Sequence, residues 1–160
     1  MRAAFAYEGA ARAAVLTLKF SSGRYLVPLM GEFLREALAQ RPLHADLVVP
    51  VPLAPARLRR RGFNQAALLA DQVAAAVHGT IVPEVLRRQE RAAQSTLAAA
   101  ERLLNLKGAF ACPLPTRVQG RRVLLVDDVV TTGATVSACA DTLAEAGARR
   151  VSALAFARDL

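Results

Sequence analysis

The segment VLLVDDVVTTGAT, residues 123–135, constrains the fold of this chain more than any other part of it. Four apolar residues, 123–126, predict a buried strand, and a helical pattern begins at residue 134. Two carboxylates, Asp127 and Asp128, follow the strand and lead into a loop rich in threonine. Parallel sheets bind ligands beyond the carboxyl ends of their strands, and a helix N-terminus offers unpaired N–H groups to a phosphate. The segment therefore predicts a site for a phosphorylated ribose, with acceptors for the sugar hydroxyls and a cradle for the phosphate.

The residues present exclude two other phosphate-related motifs. A Walker phosphate loop has a lysine after its second glycine, whereas Ala134 follows Gly133 here. A phospho-acceptor receiver domain has its acidic pair near the start of the fold, but only 32 of the 160 residues follow Asp128. The acidic pair alone would be equally consistent with a structural role or a metal site. The threonine-rich loop after it favours the sugar-phosphate site.

The charge of the chain indicates an anionic partner. There are 21 basic and 13 acidic residues, and all the basic ones except Lys19 and Lys107 are arginine, whose planar guanidinium suits phosphate. A diphosphate or a nucleic acid would fit this balance, and so would a compositional bias toward Ala and Arg. With 6 Phe, 2 Tyr and no Trp, a base-stacking platform for nucleic acid is poorly supported.

Length and composition predict one folded domain, 1–160, with 54% hydrophobic and 21% charged residues. Cys112 and Cys139 lack metal-ligand spacing and are expected to be inert. No apolar run approaches the roughly 18 residues of a membrane span, and the N-terminus lacks a secretory pattern. We therefore expect a cytoplasmic protein without membrane insertion.

Helical and strand patterns alternate along the chain with short links. Helices are predicted at 10–20, 26–40, 63–78 and 134–146, and strands at 46–51, 80–86, 123–126 and 150–156. This alternation predicts an α/β fold, a parallel sheet with helices on both faces. The N-terminal part, 1–40, is expected to be helical, and 41–160 to form the core. Phe20 and Tyr25 would be able to flank a base, but aromatic residues at such positions are more often part of a core.

An arginine-rich segment, 48–65, continues from the strand at 46–51 and is expected to be a loop near the ligand-binding edge of the sheet. Its guanidinium groups would suit a diphosphate, and the alternative is a solvated run of charge. Gly62 predicts a turn, and Asn64 predicts the cap of the next helix. The candidate diphosphate residues are Arg57, Arg59, Arg60 and Arg61.

A polar segment, 87–110, precedes the strand at 123–126 and is longer than the other links. Long loops in compact domains are usually lids, binding loops or disordered. Arg102, Asn105 and Lys107 would reach the diphosphate if the segment folds over the site, and the alternative is an ordinary surface helix.

The motif at 123–135 resembles the 5-phosphoribosyl 1-diphosphate (PRPP) binding motif of type I phosphoribosyltransferases. The resemblance implies a Rossmann-like parallel sheet with a small N-terminal helical hood, a mobile loop that closes over the site, and Mg²⁺ bound with PRPP. Asp127 and Asp128 would contact the ribose 2- and 3-hydroxyls, with no firm metal ligand besides these two. The residues implied for the 5-phosphate are Thr131, Thr132, Gly133, Ala134 and Thr135. Related enzymes are often dimers, so a homodimer is an arrangement to test.

The chain as a whole resembles the ComF family, phosphoribosyltransferase-like proteins associated with bacterial competence and DNA uptake. The resemblance rests on the blocks AYEGAARAAVLTLKFSSGRYLVPLMG and VPVP…RRRGFNQ and on the segment before residue 123. The matching positions in that segment are Gln94, Leu97, Arg102, Asn105, Gly108 and Phe110. Many family members begin with a four-cysteine zinc ribbon, which this sequence lacks.

Two functions follow from these resemblances. The first is transfer of 5-phosphoribosyl from PRPP to a nitrogen of an unknown base or amine, with release of diphosphate. The second is binding of PRPP, a nucleotide or single-stranded DNA without catalysis, as an accessory to the competence machinery. Thr131 stands where purine-salvage relatives often have an Asp that assists the purine, so no carboxylate is available there as a general base.

Overall fold

A parallel sheet with helices on both faces forms the centre of the computed structural model, which describes residues 1–89 and 108–159. Five strands make up the sheet: β1 (Arg2–Ala6), β2 (Leu47–Pro50), β3 (Thr80–Ile81), β6 (Arg122–Val130) and β7 (Arg150–Arg158). Their spatial order is β1-β7-β6-β2-β3, and every pair of neighbours is parallel. Two short strands, β4 (Arg87–Arg88) and β5 (Phe110–Ala111), form a separate antiparallel pair.

The described helices cover the sheet or lead into it. They are α1 (Gly9–Leu18), α2 (Val27–Gln40), α3 (Pro55–Arg61), α4 (Gln65–Val73), α5 (Pro115–Val118) and α6 (Ala134–Glu145). Short 3-10 helices span Ser21–Leu26, Ala75–Val77 and Pro83–Val85.

Each face of the sheet packs against its own apolar cluster, as alternate residues of β6 show. Leu124 and Val126 lie in one cluster with side chains of α1, α2 and α4. Val123 and Leu125 lie in the other with side chains of α6. None of these four side chains is more than 1% exposed. A parallel strand that is covered on both faces has a continuous run of apolar residues, as residues 123–126 do. The structure therefore confirms the predicted α/β fold.

The connections from β6 and β2 run in opposite directions. After β6 the chain continues to β7 on one side, and after β2 it continues to β3 on the other. Parallel sheets bind ligands outside the carboxyl ends of two neighbouring strands whose connections diverge in this way. The crevice beyond β6 and β2 is therefore where the fold favours a ligand.

The N-terminal part is not only helical, because it contributes β1 to the sheet. This strand pairs with β7, with Arg2 opposite Leu154 and Ala6 opposite Arg158. The sequence RAAFA did not predict a strand, since alanine favours helices over strands. Pairing with β7 overrides that local preference.

The arginine-rich segment is also different from the prediction, since a helix replaces the expected loop. Pro55 occupies the first turn of α3, where its fixed backbone angle is favourable, and the arginines and Leu58 are good helix formers. Gly62 ends α3 with a φ of 80°, and the Asn64 side chain accepts a hydrogen bond from the Ala66 N–H at 3.0 Å. The predicted turn and helix cap are therefore confirmed.

Several predicted boundaries were wrong. The strand expected at 80–86 ends at Ile81, because Pro83 has no N–H to donate and begins a 3-10 turn. The helix expected at 63–78 is α4 followed by a separate 3-10 turn. β6 continues past both acids to Val130, and β7 continues to Arg158, because these two strands stay paired to their ends.

Most of the predicted closing segment cannot be compared with the structure. Gln94, Leu97, Arg102, Asn105 and Lys107 lie outside the described residues. At its two ends, Arg87–Arg88 pairs with Phe110–Ala111 in antiparallel fashion.

Candidate functional site

The end of β6 projects beyond its neighbour β2. Pairing between these strands stops at Val126, whose carbonyl also accepts a hydrogen bond from the Val51 N–H at 2.9 Å. β6 stays paired with β7 as far as Val130. Asp127 and Asp128 therefore lie in a stretch of strand that borders the crevice between the diverging connections.

Successive residues of a strand point to opposite faces of the sheet, and this separates the two acids. Asp127 lines a pocket together with the first residues of α6. Asp128 acts instead on the charge of Arg61, the last residue of α3. The acids thus approach the crevice from two sides rather than as a parallel pair.

Asp128 is almost completely buried, at 3% exposure. Its Oδ1 accepts a hydrogen bond from the Val129 N–H at 3.0 Å, whereas Oδ2 has no partner among the described residues. Buried polar atoms are nearly always hydrogen-bonded, and leaving one unsatisfied is costly. An unpartnered carboxylate oxygen at the ligand-binding edge of a sheet indicates that a ligand hydroxyl or cation completes it.

Asp127 is half-buried, and its Oδ1 accepts a hydrogen bond from the Asp128 N–H at 2.9 Å. Burial raises the pKa of the Asp127 carboxyl well above its usual value, and the neighbouring Asp128 raises this pKa further. The positive charge of Lys19 acts in the opposite direction. This carboxyl is therefore destabilised as an anion until a donor or cation approaches it.

A small open pocket lies between Asp127 and the start of α6. Its volume is about 60 Å³, and it is lined by Asp127 and residues 129–136. For comparison, a water molecule occupies about 30 Å³ of liquid. The expected phosphate-binding residues, Thr131 to Thr135, all line this pocket together with Asp127, whereas Asp128 and the arginines of α3 do not.

The backbone of this loop is arranged for an anion. Gly133 has a φ of 78°, in the left-handed region, and directs the chain into α6. Gly133 occupies the N-cap position of α6 and has no side chain that could cap the helix. The first turn of α6 contains no acidic residue. The Thr132 hydroxyl accepts a long hydrogen bond from the Ala134 N–H at 3.4 Å. The partial positive charge at the start of α6 therefore faces the pocket without a neutralising carboxylate of its own first turn.

Of the four candidate arginines, one faces the acids. Arg57, Arg59 and Arg60 are exposed on α3, while Arg61 is half-buried. Burial lowers the pKa of the Arg61 guanidinium, and the negative charge of Asp128 opposes that change. Arg61 Nη1 also donates a hydrogen bond to Oε1 of Gln65. The structure thus brings Arg61 toward the acidic pair and leaves the other three side chains at the surface.

One residue near the site, Lys19, was not recognised as a functional candidate from the sequence, and the structure decides the environment of two others. Lys19, at the end of α1, acts electrostatically on Asp127, and no local pattern signals a contact over so many residues. For Phe20 and Tyr25 the sequence left both a core position and a place beside a base open, and they are 68% and 72% exposed. Their turn approaches the arginine-rich segment, since the Arg24 guanidinium lies 5.7 Å from the centre of the Phe63 ring.

In the described part of the chain, no group of three or more His, Cys, Asp or Glu side chains is placed to hold a metal ion. No helix of residues 1–89 and 108–159 has the length and apolarity needed to cross a bilayer.

Comparison with known protein families matches residues 46–159 to the phosphoribosyl transferase domain. Three curated relatives are similar in sequence. DNA utilization protein YhgH of Escherichia coli K12 is 44% identical over 116 residues, which cover 72% of this chain and 50% of that protein. Competence protein F of Haemophilus influenzae is 35% identical over 115 residues, covering 71% and 50%. Competence protein ComFC of Streptococcus pneumoniae is 30% identical over 162 residues, covering 98% and 67%.

The chain thus spans about half the length of the first two of these relatives. Among solved structures, the glutamine PRPP amidotransferase of B. subtilis, complexed with ADP and GMP, superposes with a TM-score of 0.57 at 20% identity. The match covers 83% of this chain and 26% of that one. A second structure, of an allosteric regulatory enzyme of purine biosynthesis, gives the same TM-score, identity and coverage. These likenesses establish the fold.

Proposed function

Because the chain belongs to the ComF family of phosphoribosyltransferase-like proteins, we propose that it binds PRPP at the carboxyl end of β6 and transfers the 5-phosphoribosyl group to a nitrogen of a base or amine. Diphosphate is the other product. The proposal goes beyond family membership, since it assigns a substrate and a reaction to this chain.

The unpartnered Asp128 Oδ2 is the observation that carries this proposal. A carboxylate oxygen without a partner, at the same strand end as a helix N-terminal pocket, fits a ligand that has hydroxyls at one end and a phosphate at the other. In PRPP, the ribose hydroxyls would donate to Asp127 and Asp128, and the 5-phosphate would lie in the pocket of residues 129–136. The phosphate would receive N–H groups from the first turn of α6.

In the reaction, the bond between C1 of the ribose and the diphosphate oxygen breaks, and its electron pair leaves with the diphosphate. The lone pair of the acceptor nitrogen forms the new bond to C1, and the proton of that nitrogen passes to solvent. Positive charge develops on the sugar, so the carboxylates of Asp127 and Asp128 would stabilise the transition state as well as orient the ribose. Thr131 provides no carboxylate to assist the acceptor.

Negative charge develops on the diphosphate as it leaves, and cationic side chains would offset it. Arg61 is half-buried, and the negative charge of Asp128 acts on its guanidinium. The other side chains proposed for this role are Arg57, Arg59, Arg60, Arg102 and Lys107. Mg²⁺ bound with PRPP would supply further neutralisation of the diphosphate, and the oxygens of Asp127 and Asp128 fit its preference for oxygen and few protein ligands.

The site assignment is tested by Asp128→Ala, with PRPP and Mg²⁺ measured by calorimetry. A hydrogen bond to a charged group contributes about 1.5–3 kcal/mol, so we expect PRPP to bind roughly 10- to 150-fold more weakly. Asp141→Ala, which removes an exposed carboxylate from the outer side of α6, is the matched control. Equal affinity in Asp128→Ala and the parent, with the fold intact, would show that the ribose is not bound there.

Turnover is tested separately by diphosphate release from PRPP and Mg²⁺ with a panel of purines, pyrimidines and amines. A thermal-shift titration with PRPP alone accompanies it, because a ligand that binds only the folded state raises the unfolding temperature. Binding without release for any acceptor would support a PRPP-binding protein and exclude transfer to the compounds in the panel.

A second function, binding of single-stranded DNA, is favoured by the exposed aromatic residues. Phe20 and Tyr25 lie on a turn that contacts the arginine-rich segment through Arg24 and Phe63, and Arg57 and Arg60 are exposed on that segment. Aromatic side chains that stack on bases beside cations that contact phosphates are typical of proteins that bind single strands. The names of the relatives refer to DNA utilization and competence, in keeping with this alternative.

Phe20→Ala/Tyr25→Ala tests the DNA alternative. Stacking contributes about 1–3 kcal/mol per base, so loss of two rings should weaken binding of a single-stranded oligonucleotide roughly 30-fold or more. The affinity should also fall steeply with salt concentration. An affinity for DNA that is the same in this variant and in the parent would exclude these rings as the DNA contact.

A further inference from the structure

Among the side chains whose burial the structure describes, only two polar or charged ones are buried, and both are near Arg61. They are Gln65, at 5% exposure, and Asp128, at 3%. Gln65 accepts a hydrogen bond from Arg61, and Arg61 lies within the electrostatic reach of Asp128. The two buried polar side chains are thus connected by a guanidinium that reaches in from the end of α3.

Gln65 is held rigidly at the start of α4. Asn64 precedes it and caps the helix by accepting from the Ala66 N–H, while Asn64 Nδ2 donates to the Val51 carbonyl at 3.0 Å. On the same helix, Leu69 and Val73 are fully buried in the core. The start of α4, where Gln65 lies, is therefore tied to the carboxyl end of β2.

The turn at Gly62 brings Arg61 back onto Gln65. Gly62 adopts a φ of 80°, and its N–H donates to the Leu58 carbonyl at 2.8 Å, which closes α3. A non-glycine residue would be strained in that conformation. The reversal directs the Arg61 side chain inward, while Arg57 and Arg60 remain exposed on the same helix.

The Arg61 guanidinium does not supply the missing hydrogen bond to Asp128 Oδ2. Oδ2 of Asp128 has no hydrogen-bond partner in the described part of the chain, although Arg61 is close enough to act on its charge. A guanidinium hydrogen-bonded to Gln65, and near a carboxylate with one unpartnered oxygen, suits a ligand that presents a phosphate oxygen to the guanidinium and a hydroxyl to the carboxylate. In PRPP, the ribose hydroxyls and the 1-diphosphate are neighbours on one ring.

We propose that Gln65 is a positioning residue, which holds the Arg61 guanidinium at the edge of the crevice. Because of this contact, Arg61 is the one among the four arginines of α3 that binds the diphosphate of PRPP. The inference rests on the proposed function. It predicts that the identity of residue 65 affects affinity for the diphosphate end of the substrate through Arg61 alone. A merely structural glutamine would affect the stability of the fold and leave that affinity unchanged.

Gln65→Met tests this inference, because methionine has a similar unbranched shape and lacks the amide oxygen. PRPP and inorganic diphosphate, each with Mg²⁺, are measured by calorimetry on the parent, Gln65→Met, Arg61→Ala and the double variant. We expect Gln65→Met to weaken binding of both ligands about 10-fold, and to have little additional effect once Arg61 is alanine. Gln65→Glu, which keeps an acceptor for Arg61, should bind both ligands better than Gln65→Met.

Gln72→Met is the matched control, since Gln72 lies on the same helix but contacts Gly31 rather than Arg61. It should bind both ligands as the parent does. The ordering of Arg61 is followed independently by NMR of its Nε–H, whose exchange with water should be slow in the parent and faster in Gln65→Met. Should Gln65→Met not fold, Gln65→Glu and Gln65→Asn, whose shorter amide cannot keep the same contact, provide the comparison.

The outcomes separate the two proposals. If the parent binds neither PRPP nor diphosphate, the proposed function is wrong and this inference falls with it. If the parent binds both ligands, two results would contradict only the role of Gln65. One is that Gln65→Met binds as tightly as the parent. The other is that Gln65→Met costs as much affinity when residue 61 is alanine as when it is arginine.

Discussion

At the scale of single residues, Asp127 combines an unfavourable environment for its charge with a position in the candidate pocket. Burial and Asp128 raise the pKa of its carboxyl in the folded protein, whereas the unfolded chain keeps the ordinary value of about 3.9. Between these two pKa values, the folded state holds a proton that the unfolded state has released. The free energy of unfolding therefore decreases as pH rises through this window, which is the opposite of the usual behaviour of a paired carboxylate.

Asp127→Asn should consequently stabilise the free protein and weaken PRPP binding. The gain in unfolding temperature should be largest above the raised pKa and should vanish well below the unfolded value of about 3.9, where the carboxyl is protonated in both states. A gain of 1 kcal/mol corresponds to about 2–4 °C in a domain of this size. Thermal unfolding at several pH values measures it, and a variant less stable than the parent at pH 8 would contradict the assignment of burial as the dominant influence.

The acids and the threonine-rich loop were recognisable from the sequence because they are contiguous. A strand, two carboxylates, a glycine and a helix start follow one another within 13 residues, and each has a local pattern. The electrostatic influence of Lys19 on Asp127, and that of Asp128 on the Arg61 guanidinium that Gln65 holds, join residues far apart in the chain. No periodicity encodes such contacts, so only the three-dimensional structure brought them together.

At the scale of elements, the junction between β6 and α6 depends on one backbone conformation. Gly133 has a φ of 78°, and a Cβ placed there would have Val130 Cγ1 as its nearest neighbour at 4.0 Å. Space is therefore available, and the left-handed conformation alone disfavours other residues. The loop that is expected to hold a phosphate relies on this conformation to direct the first N–H groups of α6.

Gly133→Ala should destabilise the protein by about 1–2 kcal/mol, the usual cost of a left-handed L-residue. Gly133→Asn should cost less, since asparagine tolerates this region better. Urea unfolding of the two variants checks the order. Equal losses in both variants would indicate that the cost arises from contacts of the added side chain rather than from the backbone.

The sequence predicted most elements correctly and failed where pairing or propensity opposed the pattern. β6 and β7 are longer than their apolar runs because each continues to be paired by the other. The arginine-rich segment is a helix because Pro55 and the arginines favour one, although a charged run between a strand and a glycine looked like a loop. β1 was missed because alanine-rich edge strands carry no alternating pattern.

At the scale of the whole molecule, the end of the sheet away from the candidate site is closed by an ion pair between β2 and β6. Asp46 Oδ1 accepts from Arg122 Nη2 at 2.7 Å, and Oδ2 accepts from the Arg122 backbone N–H at 2.7 Å. These hydrogen bonds lower the pKa of the Asp46 carboxyl below its usual range. A lowered pKa contributes stability above the unfolded value of about 3.9, and this contribution disappears as pH falls below it.

Asp46→Asn should lower the unfolding temperature at pH 7 and have progressively less effect as pH falls from 4 toward 2. High salt should reduce the difference, because both side chains are partly exposed. Thermal unfolding of the variant and the parent at pH 7, pH 4 and pH 2 measures it. PRPP affinity should not change, since the pair lies at the amino ends of the strands. A difference that does not shrink between pH 4 and pH 2 would assign the effect to packing.

The fold class was predictable because alternating helices and strands with short links allow few arrangements. The order of the strands was not, since it depends on which strand each connection returns to, and local patterns are silent on that choice. The divergence of connections at β6 and β2, which locates the crevice, was therefore visible only in the structure.

The C-terminal end of β7 has a practical consequence for anyone who produces this protein. The Asp159 N–H donates to the Val130 carbonyl at 2.9 Å, one residue before the loop at 131–135. A tag or fluorescent fusion joined directly after Asp159 would therefore begin close to this loop and compete with whatever enters the pocket. Purification handles are better attached at the other terminus, and assays on C-terminally tagged material should be repeated after the tag has been cleaved.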